Sequence, residues 1–163
     1  MPIENANLRQ QHSVVDLQAD YGFNFKILKQ TDLKVVLSTS AGVDTVKTLT
    51  THYTVSGVGS QNGGTVTFTA GNIPATSSSA KVTLILDTEL KQAMDLSYAV
   101  AIDSEALEGA LDNSININKR SRDLVDRSLN LPDGDVDGSG AFDANSNRIK
   151  DLATPTGAND AAT

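Results

Sequence analysis

Hydrophobic and polar residues alternate with a period of two through much of the chain between Tyr21 and Leu86. In "YGFNFKIL" (21–28), Phe23, Phe25 and Ile27 fall on one face while Asn24 and Lys26 fall on the other, as in a half-buried strand. "DLKVVL" (32–37), "HYTVSGV" (52–58), "GTVTFTA" (64–70) and "AKVTLIL" (80–86) read the same way. Val66 and Phe68 point inward in the fourth of these five segments, and Val82, Leu84 and Leu86 share one side of the fifth. Asn62-Gly63 has the backbone freedom of a tight hairpin turn. The Pro- and Ser-rich "GNIPATSSSA" (71–80) is a loop. Short strands in close succession, with no helix between them, predict a mainly β fold: an antiparallel β-sandwich over 19–102.

After Asp103 the period changes. "DSEALEGALDNSININKRSRDLVDRSLNL" (103–131) opens with Asp103, Glu105 and Glu108, acids suited to a helix N-terminus, and Pro132 closes it. Ala110, Ile117, Leu124 and Leu131 fall seven apart, whereas the companion row, Leu107, Ser114, Ser121 and Ser128, is mostly small and polar. The two rows define a weak coiled-coil-like seam through Leu107, Ala110, Ile117 and Leu124, with Arg120 on the outer face. Leu111, Ile115 and Val125 lie beside it and are placed to rest on the sheet of the same or a neighbouring chain. Residues 1–18 are polar and aperiodic, an arm rather than a core element, and the final segment, 145–163, holds too few large apolar residues to fold alone.

Composition narrows the function. A net charge of −7 and a pI near 4.6 argue against nucleic-acid binding through phosphates, and no apolar run approaches the ~20 residues of a membrane span. The first residues lack the basic and apolar regions of a signal peptide. Without cysteine there is no disulfide or thiolate metal site. Aromatics are 4% of residues, so the core is thin and association with further copies would add stability.

Candidate chemistry is sparse. A catalytic triad would need His12 or His52, of which one lies in the arm and the other opens a strand. Asp87, Glu89 and Asp95 read as solvated carboxylates, and Lys119 to Arg127, interleaved with Asp123 and Asp126, as salt-bridged helix surface. "DGDVDGSGAFD" (133–143) resembles a calcium loop in either of two frames, but position twelve is Ala144 or Ser146 where a bidentate Glu is needed. It reads as a hydrated, glycine-rich linker. No catalytic, cofactor-binding or metal-binding residue is expected.

Five segments, in order, resemble the N-terminal virion-attachment domain of tail fibres and tailspikes from short-tailed bacteriophages. They are "YGFNFKILKQTDLKVVL", "THYTVSG", "GGTVTFTA", "AKVTLILDTELKQAMDLS" and "IDSEALEGALDNSI", and "NRIKDLATPTGANDAAT" is similar to the junction before a fibre shaft. The family's usual Pro-Pro-x-Gly turn is replaced by the loop 71–80, and an aromatic commonly found after the Gln segment is Leu96. The resemblance implies a homotrimeric structural protein of the virion, made in the host cytoplasm. Its helix (103–131) would begin a trimeric stalk, and 132–163 would be a hinge and the start of the shaft. Implied partners are the tail adaptor and nozzle proteins and, through the distal fibre, a host receptor, without nucleic acid or membrane insertion. The alternatives are a carbohydrate- or cell-surface-binding β-sandwich, or the anchor of a tailspike with a downstream depolymerase.

Because both loop frames lack the twelfth ligand, thermal melts with excess chelator and with millimolar calcium should coincide. A shift of several degrees would restore Asp133–Asp143 as a site.

Overall fold

Backbone pairing turns the alternating segments into two antiparallel sheets. The structure, a computed structural model, describes residues 8–76, 78–79, 81–91, 103–129, 144 and 154. Its elements are β1 (Arg9–Ser13), β2 (Asp20–Phe23), a 3-10 turn (Gln30–Asp32), β3 (Leu33–Ser38), β4 (Asp44–Lys47), β5 (Tyr53–Ser56), β6 (Gly64–Phe68), β7 (Lys81–Leu86) and α1 (Ser104–Asp126). One sheet runs β1-β7-β3-β4 and the other β2-β6-β5. The chain divides into two compact units, 1–121 and 122–163, with the division inside α1.

Period-two patterning accounts for the core of the first unit. Val35 pairs with Leu84 and Leu37 with Val82 in one sheet, while Tyr53 pairs with Phe68 and Val55 with Val66 in the other. All of these residues belong to one buried apolar cluster that draws on both sheets. Each large side chain so buried is worth roughly 1.5–3 kcal/mol. Two polar contacts also link the sheets: the Tyr53 hydroxyl donates to the Leu33 carbonyl at 3.2 Å, and His12 Nε2 lies 2.7 Å from the Gly22 carbonyl.

Three findings differ from the sequence reading. Tyr21, Phe23, Phe25 and Ile27 are all buried as the alternation requires, yet β2 ends at Phe23. Beyond it, the Ile27 carbonyl accepts from Gly59 N–H in the loop after β5. Part of the expected arm is also structured. Residues 9–13 form edge strand β1 against β7, flanked by buried Leu8 and Val14. Its polar sequence hid it because an edge strand pairs through backbone groups that nearly every residue carries. β4 was likewise unforeseen, since none of its side chains is buried and no alternation results.

The expected tight turn at Asn62-Gly63 is instead a longer connection over 57–63, in which Gly63 takes the left-handed conformation together with Gly57 and Gly59. A Cβ at Gly63 would lie 2.0 Å from the Phe23 carbonyl oxygen, so glycine is required for space as well as for φ. Of the second unit, Arg122–Asp126 complete α1, with an i,i+4 ion pair between these two residues at 3.8 Å. The helix therefore ends before the expected residue 131, and the hinge and calcium-like stretch lie outside the described residues apart from Ala144 and Thr154.

Gly63 and Gly71 form a matched pair. Both have positive φ, but a Cβ at Gly71 would meet nothing within 4 Å. Gly71→Ala should cost about 1–2 kcal/mol in urea denaturation. Gly63→Ala should cost more than ~4 kcal/mol, because backbone must move.

Candidate functional site

Helix α1 presents the least ordinary surface in the molecule. It begins at a polar cap: the Asp103 carboxylate accepts from Glu105 N–H at 3.1 Å and relieves one of the unpaired donors of the first turn. From there, the two fully buried residues lie four apart, one helical turn, and both are polar. Asp112 and Asn116 are the buried residues of the helix, with Asn113 and Arg120 half-buried beside them.

Their partners lie in the β-sheet unit. Lys26 Nζ donates to Asp112 Oδ2 at 2.6 Å, with side-chain exposures of 12% and 5%. Arg120 Nε lies 3.3 Å from Asp87 Oδ1, just beyond the end of β7, and Lys34 Nζ approaches the same carboxylate at 3.9 Å. Asn113 Nδ2 donates to the Lys91 carbonyl at 3.4 Å. Asn116, at 0% exposure, has no protein hydrogen-bond partner for either amide atom. A buried ion pair fixes geometry more than it stabilises, because its desolvation cost offsets its attraction. An unpartnered buried amide is a net cost.

Most large apolar residues of the helix are exposed, Ile117 excepted. Leu107 is 40% exposed, Leu111 57% and Ile115 38%; Leu124, Val125 and Leu129 are exposed too. Of the four seam residues expected from sequence, Leu107 and Leu124 are therefore exposed, whereas Ala110 and Ile117 are half-buried. Leu111 and Ile115 do not rest on the sheet of their own chain. Arg120, expected on the outer face, instead faces Asp87. Of these residues Arg120 alone departs from the expectation, since a seam for further chains and a rest on a neighbouring chain's sheet both leave leucine and isoleucine open on the single chain; the fully buried residues of α1 are Asp112 and Asn116, with Asn113 and Arg120 among the half-buried ones. Asp112, Asn116 and Arg120 recur at intervals of four, which was the available signal. Nothing in the sequence revealed Lys26 as the counter-charge.

Beside the helix, Lys29, Thr31, Asp32, Thr88, Glu89, Lys91 and Asn113 line a crevice of about 190 Å³. Burial raises the Asp32 carboxyl above its ordinary range, against the lowering effect of Lys29 and Leu28 N–H donors, while a hydrogen bond from Lys91 lowers Glu89. Two lysines and two acids give the crevice no net attraction for an ion, and it is smaller than the ~300–1,000 Å³ typical of small-molecule pockets.

A second exposed apolar feature lies at Val15 and Leu17, with Leu17 at φ 65°. Between them, Asp16 accepts from Thr76 N–H at 2.7 Å and from its hydroxyl at 2.8 Å, which holds the carboxyl below its ordinary range.

The remaining sequence candidates have local duties. His12 contacts the Gly22 carbonyl, and His52 Nδ1 accepts from Thr48 N–H. Asp87 and Glu89 are ion-paired, and Asp95 lies outside the described residues. Among the described residues, no group of three or more His, Cys, Asp or Glu is arranged to hold a metal. The chain matches no protein-family model and no curated protein.

The polar seat sets opposite expectations for neighbouring substitutions. Asn116→Leu removes the unpartnered amide at similar volume and should raise unfolding free energy by about 1–2 kcal/mol. Asp112→Ala strands Lys26 and should lower it by about 3–5 kcal/mol. Urea denaturation measures both, and two changes within ~0.5 kcal/mol would show that α1 is not seated this way.

Proposed function

We propose that the chain is the N-terminal base of a trimeric phage tail fibre, a structural virion protein that docks on the tail and starts the stalk toward the host receptor. The observation that carries this reading is the inverted polarity of α1. A helix seated on its own body by polar groups, with leucine and isoleucine turned outward, is suited to gathering further chains around it. Its two sheets would face one another as a β-sandwich, which the shared apolar cluster and the Tyr53–Leu33 hydrogen bond support. The exposed tip at Val15 and Leu17 offers apolar area for docking on tail adaptor and nozzle proteins. The ordered five-segment resemblance supplies the viral context.

A carbohydrate-binding sandwich is the second reading. Such modules stack sugar rings on exposed aromatics. Tyr21, Phe23, Phe25, Tyr53 and Phe68, the described aromatics, are all buried, which favours the anchor over the lectin-like module.

Light scattering on the 1–163 chain should give about three times 17.1 kDa. Particles assembled with fibres lacking residues 1–102 should carry no fibres. A fragment that coats host cells and blocks adsorption would favour the binding module instead.

A further inference from the structure

The outward face of α1 carries a more specific assignment, which rests on the reading of the chain as a self-assembling fibre base. We propose that identical copies of α1 meet along Leu107, Leu111, Ser114 and Asn118, with Ile115 at the margin, while the opposite face stays seated on its own body. Assembly would then use one face of the helix for the partner and the other for the parent chain.

Spacing is the first argument. Leu107, Leu111, Ser114, Asn118 and Ser121 succeed one another at intervals of four, three, four and three residues. That average of 3.5 keeps one stripe facing a partner when helices wind around each other. Exposure agrees, since Leu107, Leu111 and Ile115 are open on the single chain while Ala110 and Ile117 lie half-covered. The seam therefore sits one position along from the row Ala110–Ile117–Leu124.

Chemistry selects the occupant. No charged residue falls on the stripe, so it favours neither an oppositely charged partner nor an anionic lipid surface. Ser114 Oγ donates to the Ala110 carbonyl at 3.1 Å and Ser121 Oγ to the Ile117 carbonyl at 3.0 Å. Both hydroxyl hydrogens are thereby satisfied within the helix, and these small side chains can be covered without losing a bond to water. Asn118 is exposed on the same stripe. An amide has both donors and an acceptor, so an in-register copy supplies the matching group, and a polar residue at such a position specifies register. A second copy satisfies every position at once.

The chain has no cysteine, so each single-cysteine variant carries one thiol. Leu111→Cys, Asn118→Cys and Ile117→Cys in the 1–163 chain would be oxidised under native conditions and resolved on non-reducing gels. Disulfides need Cα separations of roughly 4.4–6.8 Å, so positions on the axis should link and those off it should not. We expect interchain disulfides at 111 and 118, forming at least tenfold faster than at 117. Fastest linking at 117, or none at any position in a chain of trimer mass, would overturn the seam and leave the trimer reading standing. A mass of two chains with linking at 111 and 118 would support the seam and overturn the trimer. A single-chain mass without linking would overturn both. As a second measure, Leu111→Asp should reduce the scattering mass to one chain at concentrations where Ile117→Asp remains assembled, with circular dichroism unchanged; the reverse order would overturn the seam.

Discussion

Val82, Leu84 and Leu86 on β7 are fully buried in one cluster with the aromatic residues of the other sheet, and the remaining elements are arranged around that contact. β7 is paired on both sides, to β1 and β3, so its position is fixed by two backbone ladders as well as by packing. The described aromatics are all committed there. In a chain with so few of them, little of that kind is left to cover a helix. The connections obey the same constraint: Gly63 approaches the Phe23 carbonyl more closely than any side chain would allow, which draws the β5–β6 turn onto the end of β2.

What remains for α1 is charge and amide chemistry. Lys26–Asp112 is shielded from water and places the helix, while Arg120–Asp87 is only partly shielded and is weakened further by screening. The cost of seating Asn116 without partners is tolerable if the helix gains elsewhere. Each outward leucine or isoleucine would contribute up to about 1.5–3 kcal/mol once fully covered. The outward face is thus the part of the helix whose apolar area is left uncovered by its own body.

Strands were legible in the sequence where they bury large apolar side chains at every second position. β3, β5, β6 and β7 follow directly from alternating Val, Leu, Ile, Tyr and Phe, and the same alternation placed Phe25 and Ile27 in the core beyond the end of β2. β1 and β4 escaped because edge pairing uses the backbone and leaves no hydrophobic period to detect. The helix was recognisable by its acidic start, but its orientation was not. Amphipathicity says that two faces differ, and the usual assumption points the apolar one inward. Here Asp112 and Asn116 face inward, and the partner of Asp112 is Lys26, 86 residues away in sequence.

The contacts that seat α1 also define how it would respond to mechanical force. Among these three contacts, a pull applied through the C-terminal end would load Arg120–Asp87 before Asn113 with the Lys91 carbonyl, and Lys26–Asp112 last. Loaded one after another, such contacts peel at far lower tension than the same contacts sheared together. The contact best shielded from water lies farthest from the load. Small tugs would therefore strain Arg120–Asp87, while the buried ion pair further up keeps the helix attached to the sheets.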